Sequence, residues 1–153
     1  MKIGGIIEQR QLALYTIVSI KDAPGSAADV LRIFAEENIN LAYITEAANK
    51  AGNAVLSFCV DCDDKCKIDD IIKHKTTVRS ENIRKVENVG LIGVYGPHFR
   101  EKPAIAVQLF SVLGKAKINI LGISSSISTI SCILDIQELD NARKALQDYF
   151  ELP

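Results

Sequence analysis

Ile20-Lys21-Asp22-Ala23-Pro24-Gly25-Ser26-Ala27 ends an apolar run, turns the chain and opens a helical pattern. Pro and Gly punctuate turns, and the fixed φ of Pro suits the first turn of a helix. Amides at a helix start lack intrahelical acceptors and favour an anion. Asp22 stands just before them and offers a carboxylate to a cation. A corner with both features suits a zwitterion such as a free amino acid. The plainer alternative is that Asp22 caps or stiffens the turn.

Working outward, the layout recurs. Shifted by 79 residues, the sequence matches itself without a gap: Pro24 falls on Pro103, Ala27 on Ala106, Ile39 on Ile118, Asn40 on Asn119 and Ile44 on Ile123. Ala27, Val30, Leu31 and Phe34 have the i, i+3, i+4, i+7 spacing of one helix face. Ala106, Leu109, Phe110 and Leu113 repeat it at the same offset. Two copies are too few for a solenoid, so the repeat predicts two similar small domains.

In the first copy, Ile3–Ile7 reads as a short strand and Leu12–Ile20 as a longer one. A helix follows over 25–37, then strands at Leu41–Ala48 and Ala54–Val60 around the turn Ala51-Gly52-Asn53. Ile68, Ile71 and Ile72 mark a helix over 65–75, and Asn82–Val86 a further strand. This is the ferredoxin-like split βαβ order. The second copy has a strand at Val89–Tyr95, a longer loop over 96–102 and a helix over 103–116. Strands at Asn119–Ser125 and Thr129–Ile136 follow, then a helix marked by Leu139, Ala142, Leu146 and Phe150. No closing strand remains before Pro153, while Ile3–Ile7 is spare. The expected fold is therefore α+β, with two ferredoxin-like βαββαβ domains, antiparallel sheets and helices on one face. The domains are 10–87 and 88–153, the second completed by the N-terminal strand 2–8, which spares an unpaired edge.

Composition narrows the function. The chain has 153 residues, 48% hydrophobic and 24% charged, with a formal net charge of -1. That argues against disorder and against a broad electrostatic attraction to nucleic acid or anionic membrane. No apolar run approaches the roughly 20 residues that span a bilayer. Met1–Arg10 lacks the apolar core of a signal peptide, and with four cysteines a cytoplasmic location with four free thiols is expected. Cys59-x-x-Cys62-x-x-x-Cys66 invites a metal reading, but no fourth ligand is close in sequence, and no metal or other cofactor is expected. Ser124, Ser125, Ser126, Ser128 and Ser131 lack a Gly-x-Ser-x-Gly frame and read as hairpin residues. His98 lies in the longer second loop with Phe99 and Arg100, an exposed segment or a lid. No catalytic residues are expected.

Asp22-x-Pro24-Gly25-x-Ala27, an amphipathic helix and Ile39-Asn40-Leu41 together resemble the ACT domain, a small-molecule sensing module. Ile118-Asn119-Ile120-x-x-Ile123-Ser124-Ser125-Ser126 is similar to the second ACT domain of aspartokinases, and Ala145-Leu146-x-x-Tyr149-Phe150-Glu151-Leu152 to their C-terminus. The resemblance covers nearly the whole chain and matches the regulatory half of aspartokinase or its free-standing regulatory subunit. It implies a non-catalytic, allosteric protein that binds an amino acid at a domain interface, forms a homodimer and controls an amino-acid biosynthetic enzyme. It also implies a site built from Asp22, Pro24, Gly25 and Ala27, continued by Asn40 and Leu41, with Asn119 and Ile120 on the facing domain. Ala42 and Ile127 stand where the aspartokinase pattern often carries acids, and Glu46 where it often carries Gln. Ala104 replaces the Gly after the second Pro. The lost acids at Ala42 and Ile127, with Ala104, point away from lysine and threonine as effectors, while Glu46 runs the other way by offering a carboxylate to a cationic side chain. The class-level alternative is an interaction or oligomerisation module without a ligand site; a third reading is a metal or redox sensor built on the Cys cluster.

Overall fold

In the computed structural model, which describes residues 1–49, 51–97, 99–101 and 104–153, with Arg100 described by its backbone alone, the two N-terminal strand readings merge. They form one strand, β1 (Gly5–Lys21). Likewise Asn82–Val86 and Val89–Tyr95 are parts of one strand, β4 (Ile83–Tyr95). The polar stretches around Glu8–Gln11 and Glu87-Asn88 look like breaks but stay extended. Each contains one residue in the left-handed region, Gln11 at φ 58° and Asn88 at φ 55°. These two residues also lie at the borders of two structural units, Leu12–Glu87 and Met1–Gln11 with Asn88–Pro153.

In the Leu12–Glu87 unit, β1 leads to α1 (Ser26–Glu36), β2 (Tyr43–Ala48), β3 (Asn53–Asp61), α2 (Lys65–Lys75) and the first half of β4. The strand order is β2-β3-β1-β4. β3 runs antiparallel to both neighbours, with Phe58 opposite Ile44 and Tyr15. The core gathers Tyr15, Ile17, Leu56 and Phe58 from the sheet with Phe34, Ile68 and Ile72 from the helices. Tyr15 stacks on Phe58 at 5.5 Å, and Phe34 meets Phe58 at 5.1 Å. Such pairs contribute about 0.5–1.5 kcal/mol each beyond burial.

In the other unit, the second half of β4 leads to α3 (Ile105–Lys115), β5 (Gly122–Ser125), β6 (Thr129–Asp135) and α4 (Leu139–Tyr149). The order here is β5-β6-β4-β1, so the first half of β1 takes the closing place that β4 takes in the other unit. Antiparallel pairing sets Cys132 of β6 opposite Ile92 and Ile123. The N-terminus is tied in by Gly4 N–H donating to Tyr95 O (2.7 Å) and Ile3 N–H to Glu151 O (3.1 Å). Gly90 is needed for close approach, since a Cβ there would lie 2.2 Å from the buried Leu139 side chain at the start of α4.

The recurring Ile-Asn has a local cause. After α1, Asn38 N–H donates to Ala35 O and Ile39 N–H to Phe34 O. After α3, Lys117 N–H donates to Gly114 O and Ile118 N–H to Leu113 O. Asn38 (φ 55°) and Lys117 (φ 61°) take the left-handed conformation that such helix stops require. Ile39 and Ile118, buried in the cores with Phe34 and Leu113, are the hydrophobic contacts that accompany them.

Each unit joins its second helix to its closing strand by a charge network, with the signs reversed. In one, Lys65 meets Glu87 (3.0 Å), Lys85 meets Glu87 (3.1 Å) and Asp69 (2.8 Å), and Tyr15 Oη donates to Asp69 (2.7 Å). In the other, Asp140 meets Arg10 and Arg143, Arg10 meets Glu8, and Arg143 lies 3.6 Å from Glu8. Hydrogen bonds from Lys65 and Lys85 hold the Glu87 carboxyl below its ordinary range, and those from Arg10 and Arg143 do so for Asp140. Burial pushes Asp69 up, but Lys85 and Tyr15 outweigh it and its pKa falls.

Lys117→Gly relieves the left-handed strain and is expected to raise stability by about 0.5–1 kcal/mol, whereas Ile118→Ala lowers it by about 2–5 kcal/mol, both read by chemical denaturation. Depressed carboxyl pKa values stabilise the fold above the unfolded-state pKa, and the contribution is lost as pH falls through the folded-state value. The melting temperature is therefore expected to drop as pH falls below about 4, and Glu87→Gln with Asp140→Asn to flatten that acid limb by lowering the melting temperature near neutral pH.

Candidate functional site

The Asp22 corner joins β1 to α1. Lys21 pairs with Asn53 on β3, and Asp22 N–H donates to Gly52 O at 3.0 Å, so the corner is anchored to the β2–β3 hairpin. Ser26 N–H donates to Ala23 O (3.1 Å) and Asp29 N–H to Gly25 O (2.9 Å). Among the described residues, the intervening amides of Ala27 and Ala28 have no backbone acceptor. Gly25, not Asp22, occupies the N-cap. Its φ of 90° is the reason for glycine there, because a Cβ would meet nothing within 4 Å. Among the described residues, no side chain caps α1. Asp22 is exposed, and among the described residues its carboxylate has no hydrogen-bond or salt-bridge partner. Asp22 is thus not a helix cap. Pro24 lies two residues before the helix rather than in its first turn.

The register separates other expected site residues from this corner. Ile20 of β1 is paired with Ala54, which also pairs with Ala48 at the end of β2. Asn40 and Leu41 precede the other end of β2, where Tyr43 pairs with Cys59. The strand starts at Tyr43 rather than Leu41 because the helix stop occupies the preceding residues. Asn40 is exposed, and Leu41 is half-buried against the core. In the other unit, Asn119 is exposed, Ile120 packs on the core, and the strand starts at Gly122 rather than Asn119. Asn40-Leu41 and Asn119-Ile120 therefore hold equivalent places, one pair in each unit. Sequence reasoning missed the Ala28 amide, although the position of Gly25 signals it.

The remaining constellations resolve locally. Ser126 Oγ accepts from the amides of Ser128 (3.4 Å) and Thr129 (3.2 Å), holding the β5–β6 turn. Ile127 at its tip is 75% exposed. Cys59 and Cys132 are buried, Cys62 is half-buried and Cys66 exposed; all four are free thiols. Among the described residues, no three His, Cys, Asp or Glu side chains gather as a metal site. Burial pushes the Cys59 and Cys132 thiols up to about 12. No helix among the described residues is long and apolar enough to cross a membrane. His98, Lys102 and Pro103 lie outside the described residues, as does the Arg100 side chain.

Two α+β units of ferredoxin-like topology, each turning from a strand into a helix and stopping that helix with the same motif, define a tandem of one small module. The chain belongs to the ACT domain family, which it matches at residues 15–73 and again at 92–150. It is 28% identical over 151 residues to the aspartokinase of Mycolicibacterium smegmatis, covering 97% of this chain and 36% of that protein. Against the Pseudomonas aeruginosa aspartokinase it is 28% identical over 153 residues, covering 98% and 37%. The chain thus spans a little over a third of these curated relatives.

Among solved structures, it is similar to the ligand-free regulatory subunit of aspartate kinase from Thermus thermophilus. That match has a TM-score of 0.84, 19% identity, and covers 99% of this chain and 100% of the other. A structure of aspartokinase alpha and beta subunits gives 0.83, 24%, 95% and 97%. Escherichia coli aspartokinase III in complex with lysine and aspartate gives 0.73, 18%, 97% and 33%. At these identities the likeness establishes the fold.

Burial and protonation together predict thiol reactivity. At pH 8, an alkylating reagent is expected to label Cys66 first and Cys59 and Cys132 only on unfolding, as peptide mass spectrometry would show.

Proposed function

We propose that this chain is a non-catalytic regulatory protein that binds a free amino acid at the Asp22–Ala28 corner and thereby controls an enzyme of amino-acid metabolism. The observation that carries this reading is a carboxylate and two backbone amides, all without partners among the described residues, at the start of an 11-residue helix. The ligand carboxylate accepts from the Ala27 and Ala28 amides, with the positive end of the helix dipole behind them. Its ammonium pairs with Asp22. Pro24 and the left-handed Gly25 fix the chain between the two charges. Asn40, Leu41, Asn119 and Ile120 belong to the proposed site only through the family resemblance.

Similarity to aspartokinase regulatory subunits supports an aspartokinase-like enzyme of amino-acid metabolism as the controlled partner. A cytoplasmic homodimer is the working form we propose, on the family resemblance. The exposed Ile44 and Ile123, equivalent residues on the edge strands β2 and β5, favour the pairing of copies and would also serve a pure interaction module. With Ala42 and Ile127 in place of acids common in the aspartokinase pattern, the proposed preference is for a neutral, small or aliphatic amino acid over lysine, Glu46 being the one carboxylate that argues for a cationic side chain.

Calorimetry with the twenty amino acids, on the wild type and on Asp22→Ala, tests this. A neutral amino acid is expected to bind, and loss of the exposed Asp22 to weaken it by about ten-fold. Tight lysine binding would overturn the specificity, and unchanged affinity in Asp22→Ala would overturn the site.

A further inference from the structure

A separate feature of the Leu12–Glu87 unit is a cavity of about 400 Å³ beside α2 and the first half of β4. That volume lies within the range of about 300–1,000 Å³ usual for small-molecule sites. Its apolar lining comes from the Tyr15 ring, Ile72, Val78 and Ile83. Its polar groups are Asp69, Lys85, Lys73 and Ser80.

These polar groups fall into two sets. Asp69 and Lys85 are committed: Asp69 Oδ1 accepts from Tyr15 Oη at 2.7 Å, Oδ2 accepts from Lys85 Nζ at 2.8 Å, and Lys85 also lies 3.1 Å from Glu87. Lys85 Nζ further sits 5.6 Å from the centre of the Tyr15 ring, closing that wall. Lys73 and Ser80, by contrast, have no side-chain partner among the described residues. The cavity therefore presents an apolar floor with one unmatched cation and one unmatched hydroxyl. Its uncommitted charge is positive, and Asp69, the one carboxylate in the lining among the described residues, is already neutralised by Lys85. A ligand ammonium would meet two lysines and no free acid.

We propose that this cavity is a second ligand site, taking a small carboxylate with an apolar body and no ammonium group. The carboxylate pairs with Lys73 and accepts from Ser80, and the apolar body covers Ile72, Val78, Ile83 and the Tyr15 ring. The proposal does not depend on amino-acid binding at Asp22, because no residue is shared between the two.

The test uses 4-methylpentanoate as probe and leucine, the same skeleton with an ammonium, as its contrast. Methyl-resolved NMR of the full chain reads Ile72, Val78 and Ile83 directly. Saturable shifts of these methyls with 4-methylpentanoate, and affinity for leucine at least several-fold weaker, are expected. Lys73→Ala is expected to lower affinity by about five-fold, the scale of an exposed ion pair near 1 kcal/mol. Ser80→Ala weakens it further, Val78→Phe fills the cavity and abolishes it, and Asp22→Ala leaves it unchanged. Circular dichroism checks the fold of each variant, and Lys73→Ala alone decides the matter if Val78→Phe misfolds. Absence of saturable shifts at millimolar probe, equal affinity for leucine, unchanged affinity in Lys73→Ala, or loss of binding in Asp22→Ala would overturn the proposal.

Discussion

Closure of each sheet by a strand distant from its hairpin is the constraint on which the structure depends. In the unit completed by Met1–Gln11, the closing strand comes from the opposite end of the sequence to α4. Bringing such remote segments together costs chain entropy before any contact repays it. The repayment is visible in backbone bonds from Ile3 and Gly4 and in the Glu8–Arg10–Asp140–Arg143 network. The Lys65–Glu87–Lys85–Asp69 network has the opposite signs at matching places. Each second helix therefore matches its own closing strand and would meet like charge on the other. That is discrimination by repulsion as well as attraction.

The helix stops act at a shorter range. Asn38 and Lys117 end α1 and α3 in the left-handed conformation, and Ile39 and Ile118 fasten the chain to the core. This fixes where each hairpin begins and delays β2 to Tyr43 and β5 to Gly122. At the other end of β2, the Asp22 N–H to Gly52 bond holds the corner on which a ligand carboxylate and ammonium are proposed to rest. Rigid anchoring lowers the ordering cost of binding.

The α+β class, the order of elements and the paired modules were legible because the helix stripes and the Pro, Ile and Asn positions recur at one offset. Strand continuity was not. Glu8 and Arg10 look like a break in an apolar alternation, and their use as partners for α4 appears only when residues 130 apart meet. The Asp22 corner was legible as a turn with open amides, since Pro24-Gly25 sets it locally. That Asp22 would not cap the helix depended on Gly25 taking the N-cap with φ 90°, which no spacing rule specifies. The lining of the α2 cavity was hidden for the same reason as the strands: Tyr15, Asp69 and Lys85 are far apart in sequence and meet only in the sheet–helix layer.

The central claim is that the open amides at the start of α1 hold the carboxylate of a bound amino acid. Amide-resolved NMR during titration with a neutral aliphatic amino acid measures this most directly. The largest saturable shifts are predicted at Gly25 through Asp29, with Ala27 and Ala28 foremost. Saturable binding that leaves the Ala27 and Ala28 amides unmoved would contradict it.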